Sequence, residues 1–305
     1  MTMLKSLRMS AACAIALLSS IPLSAQDGAP APVTQAQRVE VRPALWKVAD
    51  EDTTIWLFGT IHILPENVAW YAGPVAAAFD ASGELVTEIP IDETEASQAT
   101  IMSKSLREDG KSLRDTLSET ERAAYDAGMT SIGLPPAAFD RNDAWYAALM
   151  LTLIPLKLSG YNLESGVDTQ VSKMARDRKM LNEALETPEY QISLFDTLPD
   201  DTQRRYLGDV LESLPTVRSD IDAMVAAWKA GNADELARLL NEEEDDPKLR
   251  QVLLTDRNAA WAQWLKARMD KPGTVFVAVG AGHLAGGSSV QEQLSRLGIS
   301  AARVQ

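Results

Sequence analysis

From about residue 45 onward, short β-branched and apolar runs alternate with longer stretches of helical period, and their order predicts the architecture. Residues 45–48 and 53–58 are β-prone runs split by the turn-like Ala49-Asp50-Glu51-Asp52, which predicts a hairpin and one antiparallel sheet edge. Pro74 near a helix start and Gly83 just past its end bracket a short helix, and residues 84–89 follow as a strand, so a βαβ unit is expected. Residues 93–179 then read as a helical insert, with Ser118-x-x-Glu121 as a capping box and Gly110, Gly128 and Gly160 as punctuation between helices. A strand over 181–185 ends at Glu186, and Thr187-Pro188 supplies an N-cap and a first-turn proline. Helices continue to about Met269. Residues 274–279, apolar and β-branched between Gly273 and Gly280, read as a buried strand, and 288–297 as a final amphipathic helix. The expectation is an α/β fold: a mixed, mostly parallel sheet with flanking helices, the insert lying across it as a partial lid.

The first 25 residues follow another pattern. Lys5 and Arg8 precede an apolar run from Met9 to Leu23, and Ser24-Ala25 close it before polar Gln26-Asp27. That arrangement predicts a cleavable secretory signal peptide over 1–25 and a periplasmic or secreted protein. Residues 26–43, rich in Ala, Pro, Gln and Val, read as a flexible leader, leaving 44–305 for the folded domain. Cys13, the one cysteine, lies inside the signal. The remaining chain would have no disulfide and must rely on core burial, for which about 280 residues suffice. Losing Lys5 and Arg8 from the 29 basic residues leaves 27 against 43 acidic, a net charge of −16 that argues against nucleic acid as partner. No later apolar stretch is long enough to predict a membrane span.

Candidate chemistry gathers at strand ends. The chain has two histidines, and each stands three residues past a glycine that closes an apolar run: Gly59-Thr60-Ile61-His62 and Gly280-Ala281-Gly282-His283. With 17 glycines in 305 residues, one histidine has that neighbour by chance about one time in eighteen, so a shared coincidence is a poor explanation. A glycine there lets the strand turn sharply and presents the histidine in the loop beyond, where α/β sheets place their sites. Two other expected strands end in carboxylates, Glu88 and Glu186, which are costly to bury unpaired. Imidazole nitrogen and carboxylate oxygen together suit a divalent ion such as Zn²⁺, Mn²⁺ or Fe²⁺, with three protein ligands and a water, leaving one carboxylate as general base. Each residue alone also has a structural reading as a satisfied strand-end group.

Arg257, Trp261 and Trp264 share one face of an expected helix, with the tryptophans read as core. Arg257 either clamps a substrate carboxylate or developing oxyanion, or pairs Glu186 or Glu88 structurally. Asn258 beside it is a weaker candidate. The acidic run Glu242-Glu243-Glu244-Asp245-Asp246 lacks the alternating ligands and central glycine of an EF-hand and reads as a solvated loop.

At these residues the sequence resembles the TraB/GumN family, itself similar to the Tiki-type metalloproteases. The resemblance rests on Leu57-Phe58-Gly59-Thr60-Ile61-His62, Val86-Thr87-Glu88, Gly166-Val167-Asp168, Leu185-Glu186-Thr187 with Gln191, Arg257-Asn258, and Val279-Gly280-Ala281-Gly282-His283-Leu284-Ala285-Gly286. It implies a divalent-metal site, its ion Mn, Co, Zn or Fe, and a metal-dependent hydrolase of peptides or small polar substrates. Some TraB-type members instead bind or neutralise peptide signals, which leaves a non-catalytic sequestration protein of the cell envelope as the alternative. The expected ligands are His62, Glu88 and His283. Glu186 is the expected base, because a following helix N-terminus would keep it ionised, although the same dipole lowers its basicity and permits the reverse assignment. Arg257 is the further catalytic candidate, and Gly59, Gly280, Asn258 and Gln191 are expected to shape the site.

Overall fold

A computed structural model describes residues 41–66, 68–90, 95–242 and 246–305. The expected signal peptide and all but the end of the leader lie outside the described residues. Strands β1 (Leu45–Ala49) and β2 (Thr53–Thr60) form the antiparallel hairpin, closed by Asp50, whose Oδ1 accepts from the Asp52 and Thr53 amides. Strands β4 (Glu84–Thr87), β6 (Leu181–Ala184) and β7 (Gly273–Gly280) run parallel to β2, while β8 (Ala302–Arg303) pairs antiparallel with β1. The six-stranded order is β6-β4-β7-β2-β1-β8, a mixed, largely parallel sheet in an α/β fold. A second, two-stranded sheet joins β3 (Leu64–Pro65) to β5 (Tyr161–Asn162), so the stretch expected as all-helical contains a short strand.

Helix α1 (Gly73–Asp80) follows β3, and α2 (Glu95–Lys104), α3 (Leu113–Thr116), α4 (Glu119–Ser131) and α5 (Ala144–Leu158) come between β4 and β5. Helix α6 (Val167–Asp177) leads into β6, after which come α7 (Pro188–Asp196), α8 (Asp200–Ser213), α9 (Val217–Lys229) and α10 (Ala233–Ala237). Helix α10 continues into a π-helical turn, Arg238–Glu242. Helix α11 (Pro247–Arg250) runs through a second π-helical turn, Gln251–Thr255, into α12 (Asp256–Arg268). Helix α13 (Val290–Arg296) closes the series, capped by Ser289.

The alternation along β7 shows why the sheet must be covered twice. Val275, Val277 and Val279 enter one core with Trp261 and Leu265 of α12 and Leu294 of α13. Phe276 and Ala278 point into the other with Phe79 of α1, Val171 of α6 and Trp228 of α9. Both faces are dry, which is why β7 reads as a continuous apolar run. A further core sits beside the sheet, where α5 packs on α8 and Trp145, Phe195, Tyr206 and Leu253 are buried together. It draws on residues from both 95–158 and 188–255. By contrast, α6 packs on β4 and β7 as a crossover helix.

Two local readings find their reasons here. Ser118 and Glu121 form the capping box of α4, and Thr187 caps α7 with Pro188 in its first turn. Gly128 is not a helix end: it lies inside α4, where a Cβ would come within 2.5 Å of Leu211 Cδ2. Its bare Cα lets α4 approach α8. Among the described residues no helix is long and apolar enough to cross a membrane.

Candidate functional site

Because β6, β4, β7 and β2 are parallel and adjacent, their C-terminal ends share one edge of the sheet. Glu186, Glu88, Gly280 and His62 stand there in that spatial order, with His283 on the short 3₁₀ turn Ala281–Leu284 after β7. All four expected ionisable groups meet at this edge, which is where an open parallel sheet leaves a crevice.

Gly280 is the floor of the site. A Cβ there would lie 3.1 Å from Glu88 Oε1, 3.5 Å from His62 Nε2 and 3.7 Å from His283 Cδ2. Its amide donates to Glu88 Oε1 at 2.7 Å. The glycine is required for space and not for a sharp turn, since Gly280 has φ −50° and neither it nor Gly59 is among the glycines of positive φ. Gly59 likewise leaves room: a Cβ would come within 3.1 Å of the Ala281 Cα. Its carbonyl accepts from Trp228 Nε1 at 2.7 Å.

Each histidine is oriented by an oxygen on its Nδ1. His62 Nδ1 lies 2.6 Å from Asp168 Oδ2, and the other Asp168 oxygen accepts from Thr60 Oγ1 at 2.5 Å. A carboxylate can only accept, so His62 Nδ1 carries the proton. His283 Nδ1 lies 2.5 Å from Asn258 Oδ1, while Asn258 Nδ2 donates to the Ser288 and His283 carbonyls. That fixes the amide's orientation and puts the His283 proton on Nδ1 as well. In the neutral tautomers both Nε2 atoms are therefore acceptors: that of His62 lies with Glu88 Oε1 around Gly280, and that of His283 faces Arg257, 4.0 Å from Glu88 Oε1.

Arg257 fills the gap between the carboxylates. Its Nε donates to Glu186 at 2.9 Å, Nη2 to Glu88 Oε2 at 2.7 Å and Glu186 Oε2 at 2.8 Å, and Nη1 to the Leu253 carbonyl and His283 Nε2, both at 3.1 Å. All five guanidinium protons thus have partners. Arg257 pairs both Glu88 and Glu186. Glu186 also accepts from Trp261 Nε1 at 2.9 Å, and Gln191 Nε2 donates to Glu186 at 2.9 Å and Glu88 at 3.1 Å. Trp261 is more than core, since its ring also lies 4.3 Å from the His283 ring. Trp264 is partly buried against the core of α12 and α13 and enters none of the site contacts described above.

The electrostatics follow from this crowding. Burial would raise Glu88, but the charges of Arg257, His283 and His62 and the Gly280 amide hold it well below the usual carboxylate range. Burial and then the Arg257 charge lower His283 to about 3, Glu88 opposing. His62 goes the other way: burial pulls it down, yet the charge and hydrogen bond of Asp168, with Glu88, leave it above its ordinary value. Formally, Glu88, Glu186 and Asp168 face one guanidinium, so neutral imidazoles leave the cluster two negative charges in excess.

That excess, two Nε2 lone pairs and Glu88 Oε1 fit a divalent cation in kind. As they stand, no three His, Cys, Asp or Glu side chains among the described residues are grouped to hold an ion. His283 Nε2 and Glu88 Oε1 are 4.0 Å apart, with Arg257 Nη1 resting on His283. An ion sharing His283 would have to displace that contact.

Asp168 and Thr60 join the site although neither is among the expected site residues: both stand in segments that carry the family resemblance, but an acidic residue in a helix's first turn also has an ordinary dipole explanation. The acidic run 242–246 lies mostly outside the described residues; Asp246 caps α11.

Comparison with known proteins adds a family. The sequence profile of the TraB/PrgY/gumN family matches residues 44–303. The chain is 25% identical over 239 residues to the uncharacterized protein YbaP of Escherichia coli (strain K12), covering 78% of this chain and 86% of that protein, and the same figures hold for YbaP of Shigella flexneri. It is 22% identical over 272 residues to an uncharacterized protein of Treponema pallidum (strain Nichols), covering 80% of this chain and 78% of that one. No solved structure matches.

Proposed function

The chain belongs to the TraB/PrgY/gumN family, and on that premise we propose that it is an exported, metal-dependent hydrolase of peptides. The observation that carries the reading is the pair of histidines whose Nδ1 atoms are tied to Asp168 and Asn258, which leaves both Nε2 atoms as acceptors around Glu88, that of His283 now resting on Arg257. Such oxygen-to-Nδ1 support is how proteins orient metal-ligating imidazoles. His62, His283 and Glu88 Oε1 would hold the ion. A divalent ion bound there would activate water and polarise the scissile carbonyl.

The chain's own residues then divide the remaining work. Gly280 keeps the floor clear and directs its amide to Glu88. Arg257 holds Glu88 and Glu186 in place, and Gln191 bridges the same two carboxylates. Glu186 accepts on both oxygens from Arg257, Trp261 and Gln191, so it serves first to position Arg257; acting as the base would require Gln191 to let go. That saturation favours a second reading, peptide binding without turnover.

The deciding experiment is metal analysis of the purified protein together with cleavage of a peptide library in added Mn²⁺, Co²⁺ or Zn²⁺. Expected are cleavage abolished by chelator and restored by metal, and loss of both metal and cleavage in His62→Ala and His283→Ala. Peptide binding that ignores metal, without cleavage, overturns the hydrolase in favour of sequestration. Export rests on residues 1–25 alone; N-terminal mass analysis of protein recovered outside the cytoplasm should give Gln26 as first residue.

A further inference from the structure

A cleft opens directly from His62 and Gly280 and is lined by a different chemistry. It is open at its mouth, and its enclosed volume is about 40 Å³. Its walls are Ile63 on the sheet side, Ile221, Met224 and Val225 of α9, Leu236 of α10 and Leu240 of the following π-helical turn. The polar side chains lining it already have a partner: Thr60 donates to Asp168, and His62 is held by the same carboxylate. The α9 wall is fixed in place, because Trp228, one turn beyond Met224, donates to the Gly59 carbonyl.

We infer that this cleft is a specificity subsite that takes a large aliphatic side chain, of the Leu, Ile or Met kind, from the residue next to the bond being cut. The inference rests on the hydrolase reading above, because His62 and Gly280 belong both to the cleft and to the reacting edge. A polar or charged side chain entering it would lose its water and find no partner, whereas an aliphatic one gains by burial. So small an enclosed space admits no more than one side chain and leaves the peptide backbone at the sheet edge.

Two variants in the full chain test it. Val225→Phe fills the cleft, and Ile221→Ala enlarges it. In library cleavage, the wild type should favour Leu, Ile or Met at one fixed position beside the cut by about tenfold or more over Ala, since a missing methylene in such a pocket costs on that order. Val225→Phe should move the preference to Ala or Gly at that position, and Ile221→Ala should move it to Phe. Cleavage whose preference at every position is unchanged by both variants overturns the subsite while the hydrolase stands.

A binding arm needs no activity. Addition of N-acetyl-leucine amide should shift the Met224 methyl resonance of the wild type, N-acetyl-glycine amide should not, and Val225→Phe should abolish the leucine effect. Equal effects of the two amides, or tighter binding of octanoate than of the leucine amide, would overturn the proposal even if no peptide is ever cleaved. Should one variant fail to fold, the other still reports the direction of the shift.

Discussion

Asp168 shows how one side chain can set the character of another. Its two oxygens are divided between Thr60, at the end of β2, and His62, two residues further on, so the strand end and the loop are tied to a single carboxylate on α6. That charge is also what lifts His62 above its ordinary value despite burial. Asp168→Asn keeps the shape and one acceptor but removes the charge, and the supporting shell of a metal-bound imidazole is worth about 10–100-fold in affinity. If the proposed metal site holds, the variant should fold and bind a divalent ion about 10–100-fold more weakly than wild type in a chelator competition. Unaltered affinity would show that Asp168 merely packs there. Asn258 performs the same task for His283 with a neutral oxygen, so the two imidazoles share a tautomer while their basicities part.

The loops that carry these residues depend on two glycines of different kinds. At Gly280 an added Cβ meets the ends of side chains, Glu88 Oε1 at 3.1 Å and His62 Nε2 at 3.5 Å. At Gly166 it would meet backbone, the His62 carbonyl oxygen at 2.2 Å, where the first turn of α6 presses on the loop. Side chains can rotate away and backbone cannot. Gly280→Ala should therefore keep its urea midpoint close to wild type and lose metal binding, whereas Gly166→Ala should lose about 1–3 kcal/mol or more of stability, the ordinary cost of overpacking. The reverse ranking of urea midpoints would contradict this account. The same contrast explains what could be read from the sequence. Strands β2 and β7, helix α7 with its Thr187 cap, and the paired glycine-to-histidine spacing announce themselves within a dozen residues. Gly128 does not, because a helix-interior glycine and a helix-ending one look alike until α8 is seen against it. Nor does Trp261: an apolar stripe tells that the indole is buried, not that its N–H finds Glu186. The helical stripes of residues 95–158 and 188–255 show what each buries, but not that they bury it against one another.

Folding the chain brings one guanidinium, two imidazoles and three carboxylates together at a sheet edge, and this couples stability to pH. His283, near 3 when folded and 6.5 ordinarily, stays neutral in the native protein while the unfolded chain takes up a proton. Stability must then fall as pH drops from about 6.5 toward 3, with a slope of about 1.4 kcal/mol per pH unit for one proton. Glu88, also depressed on folding, adds to the loss once pH falls through its ordinary value of 4.5. His62 has the opposite sign. Raised on folding, it stabilises below 6.5, and that contribution disappears as pH rises through its folded value. The formal net charge of −14 opposes the acid limb, because protonation elsewhere relieves self-repulsion. A comparison of two proteins cancels that background. In chelator, the urea-derived stability of wild type should fall more steeply between pH 6.5 and 4.5 than that of His283→Gln, by about one proton's slope, since the variant cannot titrate there. Parallel curves would mean that His283 is not held neutral by its burial beside Arg257.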